Sequence, residues 1–118
     1  MDNENALKSI VKTINITPKL KNMLEGWDKI ILFKIETETY LIKTKMGIGS
    51  IERGFTEIAD VVIDMDIETF EEIVKGDITP IKAKMKGKLK STGHLTDILR
   101  LAFIWNNALK IMNNDSLQ

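Results

Sequence analysis

The stretch ADVVIDMDIETFEEIVKGDITPIKAKMKGKLKSTG, Ala59 to Gly93, carries four structural signals in a row. Val61, Ile63 and Met65 alternate with Asp60, Val62 and Asp64, the pattern of a half-buried strand over 59–65. Asp66 then caps a helix that carries Ile67, Phe70, Ile73 and Val74, and Gly76 stops it. Glu68, Glu71 and Glu72 suit the N-terminal half of that helix through its macrodipole. Thr79-Pro80 repeats the cap signal and predicts one or two helical turns over 80–85. A strand over 86–92 follows, with Lys86, Lys88 and Lys90 on its wet face and Gly87, Leu89 and Ser91 turned inward. Gly93-His94 breaks it, and a long helix begins near Leu95.

Upstream, Ala6, Leu7, Ile10, Val11 and Ile14 recur at helical spacing over 4–14. Thr17-Pro18 opens a second, short helix to Leu24, and Gly26 sits where a left-handed stop belongs. From Asp28 the period becomes two, with Ile31, Phe33 and Ile35 on one face of a strand. Glu36 to Thr39 make a turn, and Tyr40, Ile42 and Thr44 begin the return. The Met46–Ser50 loop leads to a short strand near Ile51. Four strands with tight links predict an antiparallel meander.

At 118 residues the chain reads as one domain over 1–118, large enough to bury a real core. It has no cysteine, which excludes disulfides and thiolate chemistry and fits a cytoplasmic setting. The opening MDNENALK is polar and acidic and is not read as a signal peptide. Seventeen basic and seventeen acidic residues cancel. Residues 52–77 hold nine acids against Arg53 and Lys75, while 82–90 hold five lysines. Neutrality overall argues against a nucleic-acid partner.

The last helix is over-supplied with apolar residues. Leu95, Ile98, Leu99, Leu101, Ala102, Phe103, Ile104, Trp105, Ala108, Leu109, Ile111 and Met112 fill a broad sector, with Thr96, Asp97, Arg100 and Asn107 opposite. One packing face needs a stripe of only about 100°. Either the helix is buried on two sides or meets a second copy, or part of it walls an apolar cavity.

These segments in order resemble the sterol carrier protein, or SCP-2-like, family. The carriers of the resemblance are the strand Ala59–Met65, the helix ending Gly76-Asp77, the turn Thr79-Pro80-Ile81-Lys82-Ala83, and Met85-Lys86-Gly87-Lys88-Leu89-Lys90 before an apolar helix. The resemblance implies an α+β fold: a five-stranded, mostly antiparallel sheet with helices over one face around a hydrophobic tunnel. By position, the tunnel lining would come from Phe33, Val61, Ile63 and Met65, and from Phe70 and Ile73. Ala83, Met85 and Leu89 would add to it, with Leu99, Ala102, Phe103 and Trp105 of the last helix. Ser91 departs from the family, which usually has an aliphatic residue there. Its hydroxyl makes that wall slightly polar or meets a ligand head group.

The implied function is non-enzymatic binding and intracellular transfer of a hydrophobic lipid: a fatty acyl chain, fatty acyl-CoA, sterol-like molecule or isoprenoid. The rival is an accessory module that presents a lipid-soluble intermediate such as a quinone precursor to enzymes, or a dimerisation domain joined through Leu101, Ile104 and Trp105. The partners expected are the lipid and an anionic membrane surface touched by Lys86, Lys88 and Lys90, with the chain a monomer or homodimer. No cofactor and no metal are expected. Asp64-Met65-Asp66 opens like a calcium loop, but Thr69 and Lys75 occupy the positions that need glycine and glutamate. Gly47, Gly49 and Gly54 are not a dinucleotide fingerprint, because no helix follows. Glu71 and Glu72 point about 100° apart on a helix and cannot act as a paired acid and base.

Overall fold

The structure is a computed structural model and describes residues 2–115. Two helices come first, α1 (Asn3–Ile16) and α2 (Pro18–Asn22). Strands β1 (Lys29–Ile35), β2 (Glu38–Lys45), β3 (Ile48–Arg53) and β4 (Val61–Met65) follow. Then come α3 (Ile67–Lys75), α4 (Pro80–Met85), β5 (Leu89–Gly93) and α5 (Leu95–Asp115). The helix signals read from the sequence act as local switches. The Asp66 carboxylate accepts the Thr69 N–H at 2.8 Å, and the Thr79 hydroxyl accepts the Lys82 N–H at 3.2 Å. Gly76 closes α3 in the left-handed region at φ 84°, where a side chain would be strained.

The five strands form one sheet in the order β3-β2-β1-β4-β5. This corrects the meander: β4 does not pair with β3 but runs parallel to β1, Phe33 opposite Ile63. The other three pairings are antiparallel. The segment 54–60 is long enough to carry the chain from one edge to the far side of β1. Its Gly54 lies against Leu41, and Leu32 and Leu41 are buried outside the main core cluster. The near-continuous apolar run Ile30–Phe33 therefore marks a central strand covered on both faces.

On the core face the sheet presents parallel rows of side chains. One row runs Ser91, Ile63, Phe33, Tyr40, and the next runs Gly93, Val61, Ile31, Ile42. Helix α1 lies over the β3 end of this face. Asn15 donates to the Gly49 carbonyl and accepts the Gly49 N–H, both at 2.8 Å, which satisfies an edge strand's open backbone groups. At its other end, Asn3 donates to Glu38 at 2.9 Å, and Glu38 also accepts the Tyr40 hydroxyl at 2.7 Å. Burial, with Glu38 beside it, pushes the Tyr40 phenol up to about 12.

Strand β5 begins at Leu89, three residues later than its alternation predicts. Lys86 caps α4, and Gly87 takes φ 77°. The Lys88 N–H then closes the turn onto the Ala83 carbonyl at 2.9 Å, a helix-terminating bond. The three lysines consequently do not share a strand face. Lys88 pairs with Glu72 at 3.3 Å, and Lys90 stands opposite Asp64 on β4.

Candidate functional site

Helix α5 crosses the core face of the sheet and fixes the site. Its inner side buries Ile98, Leu101, Ala102, Ile104, Trp105, Ala108 and Leu109. These account for most of the wide apolar sector. Leu101, Ile104 and Trp105 lie against the core and are closed to a second copy, which corrects the dimer face expected of them. The outer side leaves Leu95, Leu99 and Phe103 exposed at intervals of four residues.

Asp97 also departs from the wheel. It is buried rather than solvated, accepting the Trp27 indole N–H at 2.9 Å and pairing with Lys29 at 3.2 Å. The Trp27 bond, with help from Lys29, holds the Asp97 carboxyl below the usual carboxylate range. Arg100 stacks over the Trp27 ring at 5.8 Å. This cluster ties the start of α5 to the start of β1. A depressed carboxylate contributes stability above its unfolded pKa of about 3.9 and loses it as pH falls through the folded value. Asp97→Asn should therefore lose about 1 to 3 kcal/mol at pH 7 and show a smaller further loss on acidification below about pH 4. Urea unfolding at pH 7 and pH 3 measures both, and an unchanged acid dependence would contradict the assignment.

Two apolar cavities lie under α5. The first, about 30 Å³, sits among α1, Trp27, Ile31, Phe33, Ile42 and Trp105. The second, about 20 Å³, sits among Ile63, Lys84, Leu89, Ser91, Ile98 and Ala102. Leu101 and Trp105 belong to both walls and part the two. The Trp105 ring meets Phe33 edge-on, with centroids 5.2 Å apart and planes at 81°. Its Nε1 is buried and has no hydrogen-bond partner among the described residues. Such a donor costs about 1 to 3 kcal/mol when left unpaired. The interior expected as a tunnel thus takes the form of two small chambers with a tryptophan between them.

The residues singled out from the sequence divide by position. Phe33, Ile63, Leu89, Ala102 and Trp105 line one or both chambers. Val61, Met65, Phe70, Ile73 and Ala83 are buried in the surrounding core and do not line either. Met85, Leu99 and Phe103 are exposed, Met85 to 80%. Leu99 and Phe103 border an outer groove of about 250 Å³ with Pro80, Ile81 and Ala102. That groove shares Pro80, Ile81 and Ala102 with the second chamber. Two contributors escaped the sequence reading. In the wall from Leu7, Ile10, Val11 and Trp27, the first three carry only helical periodicity in the sequence, and Trp27 lies in the link before β1 with no pattern to mark it. Lys84, read from the sequence only as part of the short helix over 80–85, reaches Ser91 with its ammonium at the second chamber.

The chain is a small α+β sheet domain with an apolar interior under one long helix. The sequence profile of the SCP-2 sterol transfer family matches residues 7–105, and the chain belongs to that family. Solved structures agree on the fold. Palmitated SCP2L2 from Aedes aegypti superimposes with a TM-score of 0.72 at 19% identity, over 89% of this chain and 95% of that one. Sterol carrier protein domain 2 of Helicoverpa armigera gives 0.71 at 22%, over 91% and 87%. A ubiquinone synthesis protein, UbiJ-SCP2, gives 0.63 at 10%, over 84% of each chain. No curated protein sequence matches the chain. Family and fold support lipid binding and transfer in general.

Proposed function

We propose that the protein binds one lipid chain between α5 and the sheet and passes it on at a membrane surface. The observation that carries this reading is the meeting of two apolar chambers at Leu101 and Trp105, where a buried indole N–H has no partner among the described residues. Each chamber is on the scale of a water or two, far below the ~300 Å³ of an ordinary ligand pocket. Admitting a chain therefore requires Leu101 and Trp105 to swing and α5 to lift. Burying ten methylenes contributes about 8 kcal/mol before binding costs, enough to drive that rearrangement without a catalytic group.

The outer groove offers the route in. On α4, Ile81 and Met85 stand one turn apart and both are exposed. Lys82 and Lys86 keep the same spacing beside them. With Leu99 and Phe103 of α5, this face suits an anionic bilayer. It replaces the lysine row first read at 86–90 as the membrane-facing element.

Likeness to the ubiquinone synthesis protein favours a second reading, in which the same site presents an isoprenoid intermediate to partner enzymes. Native mass spectrometry of the purified protein separates the two. A straight-chain lipid in the complex supports the carrier, and a prenylated aromatic supports presentation. If no lipid is carried and fluorescent fatty acids neither bind nor compete, the lipid-binding function is wrong.

A further inference from the structure

In the first chamber the one polar lining residue, Thr44, has its hydroxyl bonded to the Trp27 carbonyl and the Lys29 N–H, whereas the second is lined by Lys84 and Ser91. Ser91 faces the core side of β5, opposite Ile63, among otherwise apolar neighbours. Lys84 of α4 reaches over and donates to the Ser91 hydroxyl. Both side chains are half-buried and line the chamber. Among the described residues Lys84 has no carboxylate partner, whereas Lys88 nearby is paired with Glu72. Among the described residues no acidic side chain lines the chamber. Trp105, whose N–H is unpaired among the described residues, stands between this chamber and the first.

Every polar group here is therefore a donor with capacity to spare. The ammonium has three protons and gives one to Ser91, and Ser91, accepting it, keeps its own O–H to donate. A half-buried cation beside an apolar cavity is best satisfied by an anion attached to an apolar body. One lysine and one hydroxyl balance a single charge. A phosphate monoester carries about −1.5 to −2 and is undersupplied by this pair.

Resting on the lipid-binding reading above, we propose that Lys84 and Ser91 form the head-group end of the site and select an amphiphile with a carboxylate head. The tail runs inward under α5, past Leu101 and Trp105, toward the first chamber. Lys84 and Ser91 set which lipid is held, and the apolar chambers set how much of it is buried.

The test compares dodecanoate, dodecanol, dodecyl phosphate and acetate by displacement of a fluorescent fatty acid at pH 8. Wild-type protein should bind dodecanoate about tenfold more tightly than dodecanol, the scale of one charge-assisted hydrogen bond. Lys84→Met and Ser91→Val should each bring that ratio toward one, and Lys84→Arg should keep it. Acetate should not compete, and dodecyl phosphate should compete less well than dodecanoate. Equal affinity for acid and alcohol in the wild type overturns the head-group site and leaves the carrier intact. Binding of neither removes the carrier and this inference together. An unchanged ratio in the Met and Val variants, competition by acetate, or a preference for the phosphate each overturns the assignment.

Discussion

Gly93→Ala should destabilise the protein by about 3 to 5 kcal/mol, a large fraction of the roughly 5 to 15 kcal/mol of a typical domain. A β-carbon at Gly93 would stand 2.5 Å from the Asp60 carbonyl oxygen and 3.3 Å from the Val61 α-carbon. Both are backbone, so neither can rotate away. The position also has φ 137°, where an L side chain is strained in any surroundings. The contact matters because three strands meet there. Gly93 of β5 faces Val61 of β4, and Asp60 is bonded to Ile30 of β1 through both backbone and carboxylate at 2.8 Å. Gly87→Ala is the control. It shares a positive φ but would meet nothing within 4 Å, so only the backbone term of about 1 to 2 kcal/mol remains. Urea midpoints of the two variants should differ accordingly, and equal losses would show that the close approach at Asp60 is not limiting.

The second large effect is at Trp105. Trp105→Ala removes the partition between the chambers and should lose about 3 to 5 kcal/mol. Trp105→Phe should lose far less. It keeps an aromatic ring against Phe33 and removes an N–H that is buried without a partner among the described residues. The two effects partly cancel, because deleting an unsatisfied donor is favourable while deleting ring volume is not. Added dodecanoate should raise the unfolding midpoint of the alanine variant more than that of the wild type, since a joined, dry cavity needs no displacement of the indole before it fills. A phenylalanine variant as unstable as the alanine variant would mean that the N–H has a stabilising partner after all.

Much of this architecture could be read from local chemistry. Asp66, Thr79 and Gly76 act on neighbours a few residues away, so their caps and stops were legible. Ser91 was legible for the same reason, as a polar residue at an inward position of an alternating strand. What the sequence did not show depends on distant partners. Lysines at every second position look like a continuous strand, but Gly87 at φ 77° turns the chain between them. Asp97 sits on the polar side of a helical wheel and is nonetheless buried, because Trp27 and Lys29 lie 70 and 68 residues upstream. Pairing of β4 with β1 rather than β3 follows from where the 54–60 segment crosses, and periodicity carries no information on that. Lys84 belongs to the same class: its role appears only when α4 is laid beside β5.

The central claim is that lipid enters between α5 and the sheet at Trp105. The protein has two tryptophans, and their indole N–H groups resolve separately in a proton–nitrogen correlation spectrum. Trp27 is locked to Asp97 and reports on the fold, while Trp105 reports on the chambers. Titration with dodecanoate should move the Trp105 indole signal and leave that of Trp27 nearly in place. Saturable binding with the Trp105 signal unmoved would contradict the account.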